Sequence, residues 1–170
     1  GAGTVSVIDT GTNMVVGAPI PVGAGPQGVA ITPDGAFAYV ANTGDGTVSV
    51  IDIGTNTVVG LPIMVGTDPF GVAITPDGSR VYVTNFGDGS VSVIDIGTNT
   101  VVGLPIMVGT DPFGVAITPD GSRVYVTNFG DGSVSVIDTA TNTVVETVAV
   151  GTNPVGVAIT PDGTRAYVTN

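Results

Sequence analysis

Apolar and polar positions along this chain form short strand-like stretches that break at glycine, proline, aspartate or asparagine. Thr47-Val-Ser-Val-Ile-Asp52 alternates as a half-buried strand does, because successive side chains of a strand point to opposite faces. Gly54-Thr-Asn-Thr57 supplies turn residues, and the apolar run Val58 to Val65 follows. Two further strands, Val72-Ala-Ile-Thr75 and Arg80-Val-Tyr-Val-Thr84, flank Pro76-Asp77-Gly78. In that turn proline presets φ, and glycine takes the positive φ that closes a tight hairpin. Enrichment in Val, Ile and Thr, with Gly or Pro every few residues, argues against helix throughout.

The pattern recurs. Asp9, Asp52, Asp95 and Asp138 are spaced 43 residues apart, as are Tyr39, Tyr82 and Tyr125, while Tyr167 comes one residue early. Residues 48–95 are identical to residues 91–138, which points to recent duplication or deliberate construction. Each repeat predicts four strands. The run from Val58 contains Gly60-Leu61-Pro62, and proline cannot donate to a ladder, so this strand is an edge or carries a bulge and lies outermost. Its counterpart Val144-Val-Glu-Thr-Val148 lacks the proline and is one residue shorter, as though a bulge had been removed. The Val72 strand is apolar on both faces and suits the innermost place. Four antiparallel strands per repeat, with small apolar side chains on both faces, predict an all-β fold, a β-propeller of four four-stranded repeats.

The cassette is VAITPDGSRVYVTN at 72–85 and again at 115–128, with VAITPDGAFAYVAN at 29–42 and VAITPDGTRAYVTN at 157–170. With its Tyr-Val-Thr-Asn ending, its PDG turn and the flanking VSVID and TNTVV strands, it resembles the YVTN family of propeller repeats. That family includes surface-layer proteins of archaea and bacteria, so the resemblance implies an extracellular or cell-surface scaffold. It implies no particular activity, since related propellers serve binding and catalysis alike.

The family order runs from the innermost strand to the outermost, which divides this chain into 26–68, 69–111 and 112–153, with 1–25 and 154–170 as two parts of a split blade. Each part is half a sheet whose open edge invites strand addition. Completion within the chain predicts a closed four-bladed ring. Completion between chains predicts a larger ring or an open polymer. Faces built mainly of Val, Ala, Ile and Gly suit the shallower packing of seven or eight blades, which favours self-association.

Composition narrows the chemistry. Fourteen acidic residues stand against three arginines in the 170 residues, for a net charge of -11, so phosphate backbones are repelled and nucleic acid is not expected as a partner. No apolar run reaches the roughly 20 residues of a membrane helix, and no membrane insertion is expected. Cysteine and histidine are absent and all three basic residues are arginines, which removes imidazole bases, thiol nucleophiles and Schiff-base lysines. No catalytic residue, and hence no enzyme, is expected. Lactonase-like propellers, the nearest catalytic relatives by resemblance, use a differentiated polar ring that near-identical repeats do not readily supply.

Asp45, Asp88 and Asp131 sit in Gly-Asp-Gly loops between second and third strands, and Asp68 and Asp111 in the crossover loops. In propellers these loops share one face, where carboxylates could hold calcium, a cation that prefers oxygen ligands. Ordinary turn chemistry explains the same residues, since Asp before Gly bonds nearby backbone N–H groups, and the spacing matches no known calcium loop. No cofactor is therefore expected, with calcium kept as the alternative. Phe70, Phe86, Phe113 and Phe129 lie beside these acids, read as loop residues that either anchor a partner or pack between blades. The runner-up to a self-assembling scaffold is thus a module that binds a peptide, glycan or cation on this loop face.

Overall fold

The computed structural model describes residues 2–170. Its strands are β1 (Ala2–Asp9), β2 (Met14–Ala24), β3 (Pro26–Ile31), β4 (Phe37–Asn42), β5 (Thr47–Asp52), β6 (Thr57–Val58), β7 (Ile63–Met64), β8 (Pro69–Ile74) and β9 (Arg80–Asn85). After a single 3-10 turn at Phe86–Asp88 come β10 (Ser90–Asp95), β11 (Thr100–Val101), β12 (Ile106–Met107), β13 (Pro112–Ile117), β14 (Arg123–Asn128), β15 (Ser133–Asp138), β16 (Thr143–Ala149), β17 (Val157–Ile159) and β18 (Ala166–Val168). All pairing is antiparallel. Three whole sheets form, β3-β4-β5 with β6 and β7, β8-β9-β10 with β11 and β12, and β13-β14-β15-β16, and a two-stranded hairpin lies at each end, β1-β2 and β17-β18. The fold is all-β and propeller-like, and the described residues contain no α-helix.

The outer strand breaks where the sequence dictates. Pro62 has no N–H to donate and Gly60 takes φ 71, so Gly60-Leu61-Pro62 loops out. Its flanks then pair opposite ends of β5, Val58 with Ile51 and Ile63 with Val48. The third sheet corrects one expectation. β16 is continuous, yet Val136 pairs with Glu146 and Ile137 with Val144, so Val145 is still bulged. Deleting one residue shortened the irregularity without removing it.

Strand alternation makes each sheet two-faced, and consecutive sheets pack face to face. Tyr39, Ala41, Val48, Val50 and Ile63 meet Val81, Val83 and Ile94 of the second sheet. Tyr82, Val91, Val93 and Ile106 meet Val124, Val126 and Ile137 of the third. The other face of the first sheet, with Ala38, Val40 and Ile51, receives Ile20 of the N-terminal hairpin.

Each letter of Tyr-Val-Thr-Asn has a separate task in this stack. The Tyr82 hydroxyl donates to Asn142 Oδ1 at 2.7 Å, and the Tyr39 hydroxyl to Asn99 Oδ1 at 2.6 Å, so each tyrosine reaches a left-handed turn residue of the following sheet. Val83 is core. Thr84 Oγ1 accepts from Gly71 N at 2.7 Å and donates to the Phe113 carbonyl at 2.9 Å, joining two inner strands. Asn85 accepts from Gly66 N and donates to Ser90 Oγ and Ser92 Oγ, tying the second strand to the third and to the outer crossover. In the first sheet Thr43 replaces the missing threonine by donating to the Pro69 carbonyl, and Asn42 Oδ1 is buried without a partner.

Candidate functional site

Two regions are the candidates: the loop face predicted to hold acids and phenylalanines, and the open edges of the terminal hairpins.

On the loop face, Asp45 accepts the backbone N–H of Ala24 at the end of β2, and Asp88 and Asp131 accept those of Thr67 and Thr110 in the crossover loops. The Thr110 N–H bond holds the Asp131 carboxyl below its ordinary value. Asp68 and Asp111 adopt φ 51 and 54, the left-handed conformation that aspartate tolerates better than most side chains. Asp45, Asp88 and Asp131 therefore brace the loops through their side chains, and Asp68 and Asp111 shape them through their backbone. No group of three or more metal-ligating acids converges among the described residues.

The four phenylalanines do come together. Phe113 lies at the centre, with ring centroids 4.0 Å from Phe70, 6.2 Å from Phe86 in an edge-on arrangement, and 6.5 Å from Phe129. All four are half-buried. Phe70 and Phe113 belong to β8 and β13, a correction to their reading as loop residues. The inner strand begins earlier than the apolar run suggests because Pro69 pairs with Asn85 ahead of a bulge before Val72. Sequence alone identified the four residues, but their convergence depends on neighbouring sheets and has no local signal.

The opposite face is held by turn chemistry. Asp95 and Asp138 bind Thr98 and Thr141 through one oxygen and form ion pairs with Arg80 and Arg123 through the other. Sequence reasoning missed these pairs, since arginine and aspartate meet only across the register of the second and third strands.

Among the described residues the terminal hairpins are paired within themselves but not to each other, so the closed ring within one chain, the less favoured of the two expected completions, is not formed. The second and third strands of each whole sheet are mutually hydrogen-bonded, whereas among the described residues β18 pairs only β17 and β1 pairs only β2. Exposure shows what this leaves open. Ile8 is 58% exposed, against 2% for Ile51 and 0% for Ile94 and Ile137 at the same place in whole sheets. Tyr167 is 62% exposed, against 0% for Tyr39 and Tyr82.

No family model matches the sequence, and no curated protein does. Among solved structures, hydrazine synthase of Kuenenia stuttgartiensis is similar at 36% identity with a TM-score of 0.91, over 98% of this chain and 49% of that one. A functionally unknown protein from Desulfotomaculum acetoxidans DSM 771 is similar at 23% identity with a TM-score of 0.81, over 98% of this chain and 56% of that one. The chain thus spans about half the length of the solved chains it matches, and the likeness is one of fold, all-β and propeller-like.

Proposed function

We propose that this chain is a non-catalytic structural scaffold of the YVTN repeat type, displayed at the cell surface or outside the cell, which self-assembles by strand complementation of its half-sheets. The observation that carries this reading is the pair of open edges: β1 and β18 each end a half-sheet and expose Ile8, whose counterparts in all three whole sheets are buried, and Tyr167, whose counterparts Tyr39 and Tyr82 are buried. A strand from another copy satisfies both the unpaired backbone groups and the apolar surface. That two longer propeller-like chains accommodate this one within about half their length supports an arc of a larger assembly over a tight ring of four, and in this reading copies complete one another as an eight-bladed dimer or a fibre. The likeness to hydrazine synthase carries no activity over, because this chain spans 49% of that one.

Light scattering on the purified 170-residue chain tests the reading. The expected outcome is a particle of twice the 16.7 kDa chain mass or a multiple of it. A folded monomer at micromolar concentration overturns it.

The gathered phenylalanines favour a second reading, a partner-binding module on the loop face. Phe113 touches the other three, so Phe113→Ala removes the centre of the cluster. If the face binds a peptide or glycan, that substitution abolishes capture while assembly persists.

A further inference from the structure

The geometry points to a residue-specific junction between copies, in which β1 of one chain lies against β18 of another in the register that β10 adopts against β9. This rests on the scaffold reading above and adds the partner groups that define it. In the second sheet Asp95 pairs with Arg80, Ile94 with Val81, Ser92 with Val83 and Ser90 with Asn85. Transferred to the open edges, this register sets Asp9 opposite Arg165, Ile8 opposite Ala166, Ser6 opposite Val168 and Thr4 opposite Asn170.

Asp9 and Asn170 each have part of their bonds already. Asp9 Oδ1 accepts from Gly11 N and Thr12 N, as Asp95 Oδ1 accepts from Thr98 N. Asp95 Oδ2 takes an arginine, but Asp9 Oδ2 takes none, and Arg165 makes no ion pair among the described residues. Asn170 Oδ1 accepts from Gly151 N at 3.0 Å, as Asn85 and Asn128 accept from Gly66 and Gly109. Its Nδ2, whose equivalents donate to two hydroxyls on the third strand, has no acceptor among the described residues, and the β1 edge presents hydroxyls at the two matching places, Thr4 and Ser6.

The links between sheets carry the same signature. Tyr39 and Tyr82 bond asparagines at φ 54 and 53, each 60 residues on. Tyr125, in a sequence identical to that around Tyr82, has no such partner among the described residues, whereas Asn13 holds the same turn conformation, φ 56, with its side chain exposed. A second copy docked by the β18 edge brings its Asn13 to the place that Asn142 occupies for Tyr82. Charge, hydroxyl and turn complementarity thus select another copy of this chain over an arbitrary extended peptide.

The chain lacks cysteine, so engineered cross-links report the register directly. Ile8→Cys chains are mixed with Ala166→Cys chains and oxidised, alongside a mixture of Val7→Cys with Ala166→Cys. Directly opposed strand residues place their Cβ atoms about 4.5–5.5 Å apart, close enough for a disulfide after small adjustment, whereas a shift of one residue puts the thiols on opposite faces. The expected result is a covalent dimer from the first mixture and not the second. Assembled particles that cross-link equally or better in the second mixture overturn the register and leave the scaffold reading standing. Unassembled monomers overturn both. As a second measurement, Arg165→Glu weakens association about fivefold, and mixing it with Asp9→Arg restores it; unchanged association in Arg165→Glu overturns the ion pair.

Discussion

At the scale of single residues, stability rests on buried polar side chains that saturate their hydrogen bonds. Asn85 is fully buried and serves Gly66, Ser90 and Ser92 together, so Asn85→Ala strands one backbone N–H and two hydroxyls. The expected loss is about 2–4 kcal/mol, read from chemical denaturation. Tyr39 and Tyr82 lie in the sheet interfaces, where burial pushes both phenols up to about 12. A folded value above the unfolded 10 means stability is intact below pH 10 and declines as pH rises through 12. Two late phenol ionisations in the ultraviolet titration check this. Turn carboxylates act in the other direction: the Thr118 hydroxyl and the Ser122 N–H hold Asp120 at about 2, and Asp77 and Asp162 are lowered by the same chemistry. Their contribution is present above the ordinary 3.8 and is lost as pH falls toward 2, so melting temperature drops over that interval. The repeated Tyr-Val-Thr-Asn was legible in the sequence, but its bonding was not. Asn85 finds its hydroxyls across a hairpin and Tyr82 its acceptor 60 residues away, distances at which residue patterns are silent.

At the scale of elements, strand order and turn positions followed from alternation and from Pro-Asp-Gly, where Gly78 takes φ 70, whereas the outer strand expected as one element is two short strands in the first and second sheets. The start of the inner strand did not, because Pro69 and Phe70 resemble loop residues until the bulge before Val72 is seen. The reason for the bulge is the close approach of adjacent inner strands. A Cβ on Gly71 would sit 2.5 Å from the Phe113 carbonyl oxygen, and one on Gly114 would sit 2.3 Å from that of Val155. Real Cβ atoms do not approach backbone this closely, so Gly71→Ala forces two sheets apart and breaks the Thr84 bridge. The expected cost is about 1–3 kcal/mol, comparable with overpacking a core, and appears as a lowered denaturation midpoint with an unchanged slope.

At the scale of the whole molecule, a net charge of -11 sets copies against one another even as their open edges fit. Added salt screens that repulsion, so association strengthens between about 20 mM and about 150 mM ionic strength, measured by sedimentation. An interface driven by long-range attraction would weaken over the same range. Sequence made the half-sheets visible, because the repeat begins and ends out of phase with the strand order. It left open whether the halves meet inside one chain, since that is decided by the angle accumulated over three sheets.

The duplication of 48–95 in 91–138 gives the molecule an internal reference. Tyr82 and Tyr125 share every local determinant, yet one hydroxyl is bonded to the sheet beyond it and the other is not. Any spectroscopic inequality between these twins therefore originates in what lies next door rather than in their own repeat. A titration with further chain that renders them equivalent would count neighbours without any label being attached.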